Sequence, residues 1–445
     1  MRVCVIGSGR LGLAMAAFLA EIGHRVRCVD GDQERLDRLE RGELKLREPG
    51  LEALIAVNQM ADNLEFSSDL PARVAEADVV VIAVEPSMRS SGEPDLGALR
   101  RIAQEVGRAL SGETLVALKG MIPVGCAAWV GMWINEGARL SLPHGKAHPA
   151  PSAFEVVTLP GPLRAGSALH DAFHPDCLVV GASAPRAIEG VRRLYAPLLE
   201  RRTPQGGEAV PLVATDPATA ELIPYATTAL IATRAAFADE LAQLCERFGA
   251  DPDDLALGLG LDRRLDGIGG GWSWGEAAPT GEVASLIRLA EEYGEAPGVL
   301  KAAHATLLRR RGTALTKLQR HLKVLKGRTV VLMGLDPGLD DWRDSLSIAL
   351  AEDLLARGVK VLAYDPEAAS EAALRCPALR VAACPYEAAK GADALVFGTR
   401  ALRGALDLTR LRGQVRTAFL LDARNALSPG EVRSAGFAYA GLGRS

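Results

Sequence analysis

Continuous apolar runs alternate with amphipathic stretches through the first half of the chain. The runs lie at 1–6, 25–30, 77–86, 114–125 and 177–183. Strands of a parallel sheet are covered by helices on both faces, so they read as unbroken apolar runs rather than as alternating patterns. The first half is therefore predicted to be a doubly wound α/β domain.

The middle of the chain has the period of a helix. From Asp216 to Gly249, apolar residues recur at intervals of three and four, which is typical of an amphipathic helix. Pro217 suits the first helical position, and Gly249 suits a helix stop. Pro224 lies inside the stretch and lacks a backbone donor, so a bend is expected there. We predict one long helix or a kinked pair.

A second α/β pattern begins with the apolar run at 325–337 and continues to the end of the chain. The predicted fold class is α/β, with two Rossmann-like doubly wound domains joined by a central long-helix domain. The expected domains are an α/β domain at 1–203, a helical domain at 204–318 and a second α/β domain at 319–445.

Composition narrows the functional classes. The 445 residues carry a net charge of −4, which does not favour a nucleic-acid partner. No run reaches the roughly 18 apolar residues of a membrane helix, and no signal-peptide pattern is present. Seven cysteines without CxxC pairing indicate reduced thiols in a cytoplasmic protein. The run 309–311, three arginines, is predicted to be a solvated helix face.

A glycine-rich turn lies between the first strand and the first helix. Gly7 permits the tight turn, Gly9 lets the backbone approach a pyrophosphate, and Gly12 lets the helix pack on the strand. The helix N-terminus attracts phosphate. The residues predicted to bind the cofactor are Gly7, Ser8, Gly9, Arg10, Leu11, Gly12 and Asp30.

Asp30, at the end of the second strand, decides the predicted cofactor. A carboxylate at this place accepts a hydrogen bond from the ribose 2′-hydroxyl of NAD. NAD is therefore predicted, although Arg27 and Arg35 lie near enough in sequence to weaken the choice over NADP. No metal is predicted, because the HxxxH pairs at 144–148 and 170–174 read as surface histidines.

Several segments together resemble the UDP-glucose/GDP-mannose 6-dehydrogenase family over nearly the whole chain. They are VIGSGRLGL, REPGLEALI (47–55), IPVG (122–125), TAELIPYATTALIAT (219–233), DDWRDS (340–345) and the C-terminal DARNALSPGEVRSAGFAYAGLGR. The resemblance implies an NAD-binding domain at 1–203, a helical linker and dimerisation domain at 204–318, and a nucleotide-sugar-binding domain at 319–445. It also implies oxidation of a sugar C6 alcohol to a carboxylate.

Five expected roles are missing from the matching positions. The family's GGSCFPKD loop would follow Arg264, yet no cysteine lies between Cys245 and Cys376. The family's lysine and asparagine fall on Pro224 and Thr228. The glutamates of its PEFLREG segment are absent from 160–166, and its lysine–aspartate pair is replaced. A thiolate normally captures the aldehyde for the second oxidation, so the standard two-step reaction is not expected.

Two hypotheses follow. The first is a divergent NAD-dependent oxidoreductase that makes a single hydride transfer on a nucleotide-linked substrate. Its candidate catalytic residues are Lys119 and Tyr225, and its candidate substrate-binding residues are Arg264 and Arg343. The alternative is a pseudoenzyme that binds NAD or a nucleotide and acts as a structural or regulatory partner. A homodimer through the 216–249 helix is expected in either case.

Overall fold

The structure, a computed structural model, describes residues 1–44, 46, 48–88, 94–140, 154–161, 163–164, 166–200, 209–265, 280–335 and 345–444. The chain forms two compact units, Met1–Ala226 and Thr227–Ser445. No helix in these ranges combines the length and the apolar character that crossing a bilayer requires.

The first unit is a sheet covered by helices. Its strands are β1 (Arg2–Ile6), β2 (Arg25–Val29), β3 (Leu64–Ser67), β4 (Val79–Ile82), β5 (Ser87–Met88), β6 (Pro94–Asp95), β7 (Thr114–Lys119), β8 (Phe154–Leu159), β9 (Leu178–Gly181) and β10 (Leu212–Thr215). Its helices are α1 (Arg10–Glu21), α2 (Gln33–Glu40), α3 (Leu51–Met60), α4 (Leu70–Glu76), α5 (Gly97–Ala109), α6 (Cys126–Leu140), α7 (Ala168–Phe173), α8 (Pro185–Leu194) and α9 (Ala196–Leu199).

The main sheet of this unit has the order β10-β9-β8-β7-β4-β1-β2-β3. The pairs are parallel except that β8 and β9 meet in an antiparallel pair, Thr158 with Gly181. Alternate residues of β1 enter different cores, with Val3 and Val5 in one and Cys4 and Ile6 in the other. Burial on both faces explains the unbroken apolar runs.

The helix α10 (Pro217–Phe248) contains the boundary between the two units. It is a single helix of 32 residues with Pro224 inside it. Of the two predicted alternatives, one long helix or a kinked pair, the structure has one long helix.

The second unit repeats the layered architecture. Its strands are β11 (Thr329–Met333), β12 (Lys360–Tyr364), β13 (Arg380–Val381), β14 (Ala394–Phe397), β15 (Phe419–Asp422) and β16 (Ala438–Gly441). Its further helices are α11 (Pro252–Gly260), α12 (Thr280–Glu292), α13 (Gly298–Leu322), α14 (Leu346–Ala356), α15 (Ala369–Arg375), α16 (Pro385–Ala388), α17 (Leu408–Arg412) and α18 (Pro429–Ser434), with a 3-10 turn at Arg263–Leu265.

The sheet of the second unit is parallel, with the order β13-β12-β11-β14-β15-β16. Strand order reverses between β11 and β14, as it does between β1 and β4 in the first unit. The α/β fold class with two Rossmann-like sheets is confirmed.

One prediction about the arginine run is wrong. Arg310 on α13 is buried, and its guanidinium pairs with the buried carboxylate of Asp239 on α10. Arg309 and Arg311 keep the exposure that was expected. A fully desolvated guanidinium needs a carboxylate partner, and the sequence pattern alone does not show that partner.

Candidate cofactor cleft and active site

A cleft of about 700 Å³ opens at the carboxyl ends of β1, β2 and β4. Ligands of doubly wound sheets bind where the strand order reverses, and this cleft lies at the reversal between β1 and β4. Its lining includes Gly7, Gly9, Arg10, Leu11, Asp30 and Glu85. The structure thus brings Gly7, Gly9, Arg10, Leu11 and Asp30 of the predicted cofactor residues to one site. Ser8 and Gly12 are buried and do not line the cleft.

The three glycines of the turn meet three different steric demands. Gly7 has φ +108°, and a Cβ there would lie 2.9 Å from the Ala83 carbonyl oxygen. A Cβ on Gly12 would lie 1.8 Å from the Gly7 oxygen, so α1 can pack this closely only with glycine. Nothing lies within 4 Å of a Cβ built on Gly9, the N-cap of α1. Open space over a helix N-terminus fits a pyrophosphate.

Ser8 is buried beneath the turn and holds Asp30. Its backbone nitrogen and hydroxyl donate to Asp30 Oδ2 at 2.7 and 2.6 Å, and the Asp32 nitrogen donates to Oδ1 at 2.9 Å. The geometry therefore gives Ser8 a positioning role, and direct contact with the cofactor stays a prediction.

The environment of Asp30 keeps it ionised. Burial acts to raise the pKa of Asp30, but the hydrogen bonds from Ser8 and Asp32 and the charge of Arg35 outweigh it, so the pKa is lowered. An Arg35 nitrogen lies 3.6 Å from Asp30 Oδ2 and another lies 3.6 Å from Asp32. A fixed, half-buried carboxylate is a suitable acceptor for ribose hydroxyls.

Arg10 begins α1 and lies near the buried carboxylate of Glu48, which was not among the predicted site residues. Arg10 Nε lies 4.0 Å from Glu48 Oε1. Glu48 accepts from the backbone nitrogens of Gly166 and Ala168 at 2.8 and 2.9 Å, at the start of α7. A carboxylate at a helix N-terminus is stabilised by the helix dipole.

Lys119 ends β7 and is buried. Its Nζ donates to the Gly161 carbonyl oxygen at 3.2 Å. Burial lowers the pKa of Lys119 to about 8, against the opposing charge of Glu85. A lysine with this pKa, at the carboxyl end of a strand in the sheet that holds the cofactor, can accept a proton near neutral pH.

Glu221, in the first turns of α10, is fully buried and attaches this helix to the segment after β7. Its carboxylate accepts from the backbone nitrogens of Gly125 and Ala127 at 2.6 and 2.8 Å. Burial raises the pKa of Glu221 in spite of these hydrogen bonds. Tyr225, the second catalytic candidate, is half-buried one turn later on the same helix.

The substrate-binding candidates are less well placed. The backbone of Arg264 lies in the 3-10 turn Arg263–Leu265, and its side chain lies outside the described residues. Arg343 lies outside the described residues altogether. Their roles remain predictions.

The cysteines of the first unit that lie in or beside its central strands are shielded. Cys126 begins α6 after β7, and burial with a contribution from Glu221 raises its pKa to about 12. Burial likewise raises the pKa of Cys4 to about 12 and that of Cys28 further. Since the thiolate is the nucleophilic form, these three thiols are unsuited to capturing an aldehyde.

Histidines do not form a metal site in the described part of the chain. The ring centroids of His170 and His174 lie 4.8 Å apart, with the ring planes tilted by 38°, while residues 144 and 148 lie outside the described ranges. Within those ranges, no group of three or more His, Cys, Asp or Glu side chains could hold a metal ion.

Family models match the chain in three parts. The models of the UDP-glucose/GDP-mannose dehydrogenase family match as its NAD binding domain over 1–199, its central domain over 218–306 and its UDP binding domain over 335–429. The chain is 37% identical over 459 aligned residues to the UDP-glucose 6-dehydrogenase of Pseudomonas aeruginosa, covering 100% of this chain and 98% of that one. The chain belongs to the UDP-glucose/GDP-mannose dehydrogenase family. NAD is therefore its cofactor, in agreement with the cleft around Gly9 and Asp30.

Other members of the dehydrogenase family match along their full length. The UDP-glucose 6-dehydrogenase of Rhizobium meliloti is 35% identical over 453 residues, with 100% of both chains covered. A solved UDP-glucose dehydrogenase from Pyrobaculum islandicum has a TM-score of 0.85 at 27% identity, covering 100% of this chain and 98% of that one. A UDP-D-ManNAc dehydrogenase from Pyrococcus horikoshii has a TM-score of 0.82 at 20% identity, covering 100% and 99%, and shares the fold.

Proposed function

We propose that this family member oxidises an alcohol of a nucleotide-linked sugar with NAD by a single hydride transfer. The observation that carries the proposal is the cleft in which an open helix N-terminus at Gly9 adjoins the fixed carboxylate of Asp30. Bound NAD supplies the hydride acceptor. The protein contributes cofactor binding, a proton acceptor and a substrate site.

The substrate class is a UDP-sugar. The match to a UDP binding domain covers 335–429, and the relatives with 37% and 35% identity are named UDP-glucose 6-dehydrogenases. In this segment, Asp365 accepts from the Leu335 nitrogen at 2.8 Å, just as Asp30 accepts from Ser8. We assign phosphate and sugar contacts to Arg343 and Arg264, because guanidinium groups bind phosphate oxygens in pairs of hydrogen bonds.

Lys119 is the proposed proton acceptor. Hydride removal from an alcohol requires that its hydroxyl proton leave, and a base with a pKa near the working pH is best suited to take it. The buried ammonium on Gly161 meets that requirement once it is deprotonated. Tyr225 is the second candidate, on the helix that Glu221 attaches to the segment after β7.

The reaction stops at the carbonyl in this proposal, because a second oxidation needs a thiolate to trap the aldehyde. The sequence holds no cysteine between Cys245 and Cys376. Cys126 is the cysteine that follows β7, and its raised pKa keeps it a thiol.

The test is a spectrophotometric panel. The purified protein is mixed with NAD and UDP-glucose, other UDP-sugars and GDP-sugars, and reduced nicotinamide is followed by absorbance. Turnover with a UDP-sugar is expected. NAD binding without turnover on any substrate would overturn the enzyme proposal.

A second candidate function is a pseudoenzyme that binds NAD and UDP and serves as a structural or regulatory partner. The favouring observation is Pro224, which is buried in α10 where the family resemblance implies a lysine. Proline supplies neither charge nor donor. Retained cofactor binding with no turnover across the panel would support this candidate over the enzyme.

The protein is proposed to be a homodimer that pairs through α10. Leu230, Phe237, Leu244 and Phe248 are all exposed on this helix, and the first three recur every seven residues along one side. An exposed apolar stripe of this kind marks an association surface. Continuity with the central-domain match over 218–306 supports pairing with a second copy of the chain.

A further inference from the structure

Three charged residues lie together at the end of β2. Asp30 follows the strand, Asp32 is the N-cap of α2, and Arg35 lies in the first turn of that helix. One nitrogen of the Arg35 guanidinium lies 3.6 Å from Asp30 Oδ2, and another lies 3.6 Å from Asp32 Oδ2. Because Arg35 balances only one of the two carboxylates, the cluster keeps an excess negative charge.

Asp32 fixes the position of Arg35. Its Oδ1 accepts from the Arg35 backbone nitrogen at 3.0 Å, and its Oδ2 lies beside the Arg35 side chain. The Asp32 backbone nitrogen donates to Asp30 Oδ1 at 2.9 Å. The guanidinium is therefore kept next to Asp30 by a carboxylate that contacts both the backbone and the side chain of Arg35.

The surroundings of Asp30 leave room for a group larger than a hydroxyl. Gly31 lines the cleft together with Asp30 and Arg35, and nothing lies within 4 Å of a Cβ built on Gly31. The Arg35 side chain is 44% exposed. A guanidinium binds phosphate oxygens through paired hydrogen bonds. Arg35 therefore has both the chemistry and the access to bind a phosphate beside Asp30.

Other arginines near this end of the sheet have different positions. Arg27, which the sequence placed near the cofactor, pairs with a carboxylate of β3 at 2.8 Å and is not part of the cleft lining. Arg10 and Arg101 line the cleft from α1 and α5. The ion pair with Asp30 is made by Arg35, and Arg101 offers a comparison within the same cleft.

We infer that Asp30, Asp32 and Arg35 together make the cleft prefer NAD to NADP, and that Arg35 binds the 2′-phosphate of NADP once the Asp30 carboxylate is removed. The ribose 2′-hydroxyl of NAD can donate to the carboxylate after the second strand of this fold. The 2′-phosphate of NADP carries about two negative charges near neutral pH, so the excess negative charge of the cluster repels it. The inference concerns cofactor binding and does not depend on the proposed hydride transfer.

The experiment measures the Kd for NAD and for NADP by calorimetry. The unsubstituted protein should bind NAD more tightly. In Asp30→Ser, the Kd for NADP is expected to fall about tenfold and that for NAD to rise about tenfold, because the guanidinium then faces the phosphate without a competing carboxylate. The double variant Asp30→Ser/Arg35→Gln should lose the gain in NADP affinity. The matched double variant Asp30→Ser/Arg101→Gln should keep it.

A second single substitution tests the cluster without altering Asp30. Asp32→Asn keeps an oxygen for the N-cap and removes the charge beside the Arg35 side chain. The Kd for NADP should fall about threefold, as suits an exposed ion pair. Glu34→Gln is its control, since Glu34 lies on the same helix, is exposed and pairs with Arg38 outside the cleft lining. It should leave both dissociation constants unchanged.

The outcomes decide the role of each residue. With the fold intact by thermal unfolding, an NADP affinity that is the same in Asp30→Ser, Asp32→Asn and the unsubstituted protein overturns the inference. A gain in Asp30→Ser that survives Arg35→Gln, or that is lost equally with Arg101→Gln, overturns the assignment to Arg35. Loss of the gain with Arg35→Gln alone supports it. NAD binding without turnover would refute the proposed hydride transfer and leave this inference standing.

Discussion

At the scale of single residues, the buried Ser8 is expected to support the cofactor site through its hydrogen bonds to Asp30. Removing the hydroxyl in Ser8→Ala deletes the 2.6 Å hydrogen bond to Asp30. A hydrogen bond to a charged group contributes about 1.5–3 kcal/mol, so the Kd for NAD should rise by about tenfold with little change in kcat. Calorimetric titration measures it.

The control for this substitution is Ser111→Ala. Ser111 Oγ also donates one hydrogen bond, to the Ala75 oxygen, but it is outside the cleft lining. NAD affinity should be unchanged in this control. Equal NAD affinity in Ser8→Ala and the unsubstituted protein would show that the hydroxyl hydrogen bond of Ser8 is not needed to position Asp30.

The lowered pKa of Lys119 predicts that kcat/KM depends on pH. Burial favours its neutral form, and only that form accepts a proton, so kcat/KM should rise with pH and level off above about 8. Lys119→Met should lower kcat/KM by about 10²-fold or more and abolish the rise. Lys119→Met should not lower the free energy of unfolding. Below about pH 8 the unsubstituted native protein carries a buried ammonium, which destabilises it. This destabilisation is relieved as the pH rises from 8 towards the pKa of the lysine in the unfolded state.

The comparison variant is Lys301→Met, at a half-exposed lysine that pairs with Glu291 on the surface of the second unit. It should keep both the rate and the pH profile. A Lys119→Met protein with an unaltered profile would exclude Lys119 as the proton acceptor.

At the scale of elements, helix ends determine where the loops of the site lie. The carboxylate of Glu221 accepts hydrogen bonds from the backbone nitrogens of Gly125 and Ala127 at the start of α6. In Glu221→Gln, the amide group would turn a donor towards these donors, and one N–H would lose its acceptor. The free energy of unfolding should fall by about 1–3 kcal/mol, as measured by denaturant titration.

Glu76→Gln is the matched substitution at an exposed carboxylate, which pairs with Arg73 at 3.6 Å. Its effect should stay within about 0.5 kcal/mol. If the two variants unfold at the same denaturant concentration, the buried carboxylate does not hold this helix end.

Local patterns predicted most of the elements. The apolar runs predicted β1, β2, β4, β7 and β9 of the first sheet and β11 of the second, but not β3, β8 or β10. The glycine spacing predicted the turn at Gly7. Each of these predictions depends on neighbouring residues. The carboxylates of Glu48 and Glu221 accept hydrogen bonds from backbone nitrogens that are distant in sequence. Arg310 likewise pairs with Asp239, which is distant in sequence. Such partners are set by tertiary packing, which periodicity does not contain. In the sequence, Glu48 and Glu221 are marked only by their place in REPGLEALI and TAELIP, two segments that resemble the family.

At the scale of the whole molecule, the exposed stripe on α10 predicts association. The protein should be a dimer by light scattering at micromolar concentration. Phe237→Glu places a charge in the stripe and should shift it to monomer, because burying an unpaired carboxylate in an apolar interface is unfavourable. Leu374→Glu, at an exposed apolar residue on α15, should remain dimeric. A monomeric unsubstituted protein would contradict the proposed interface.

The central claim is that the nucleotide-binding framework of the dehydrogenase family works here without a thiolate. It is tested most directly by counting the NADH formed per molecule of UDP-glucose, or of whichever UDP-sugar is consumed, when the sugar is limiting and the reaction runs to completion. The account predicts one NADH for each sugar and an aldehyde product that reacts with a carbonyl reagent. Two NADH for each sugar, with a uronic acid as the product, would contradict it.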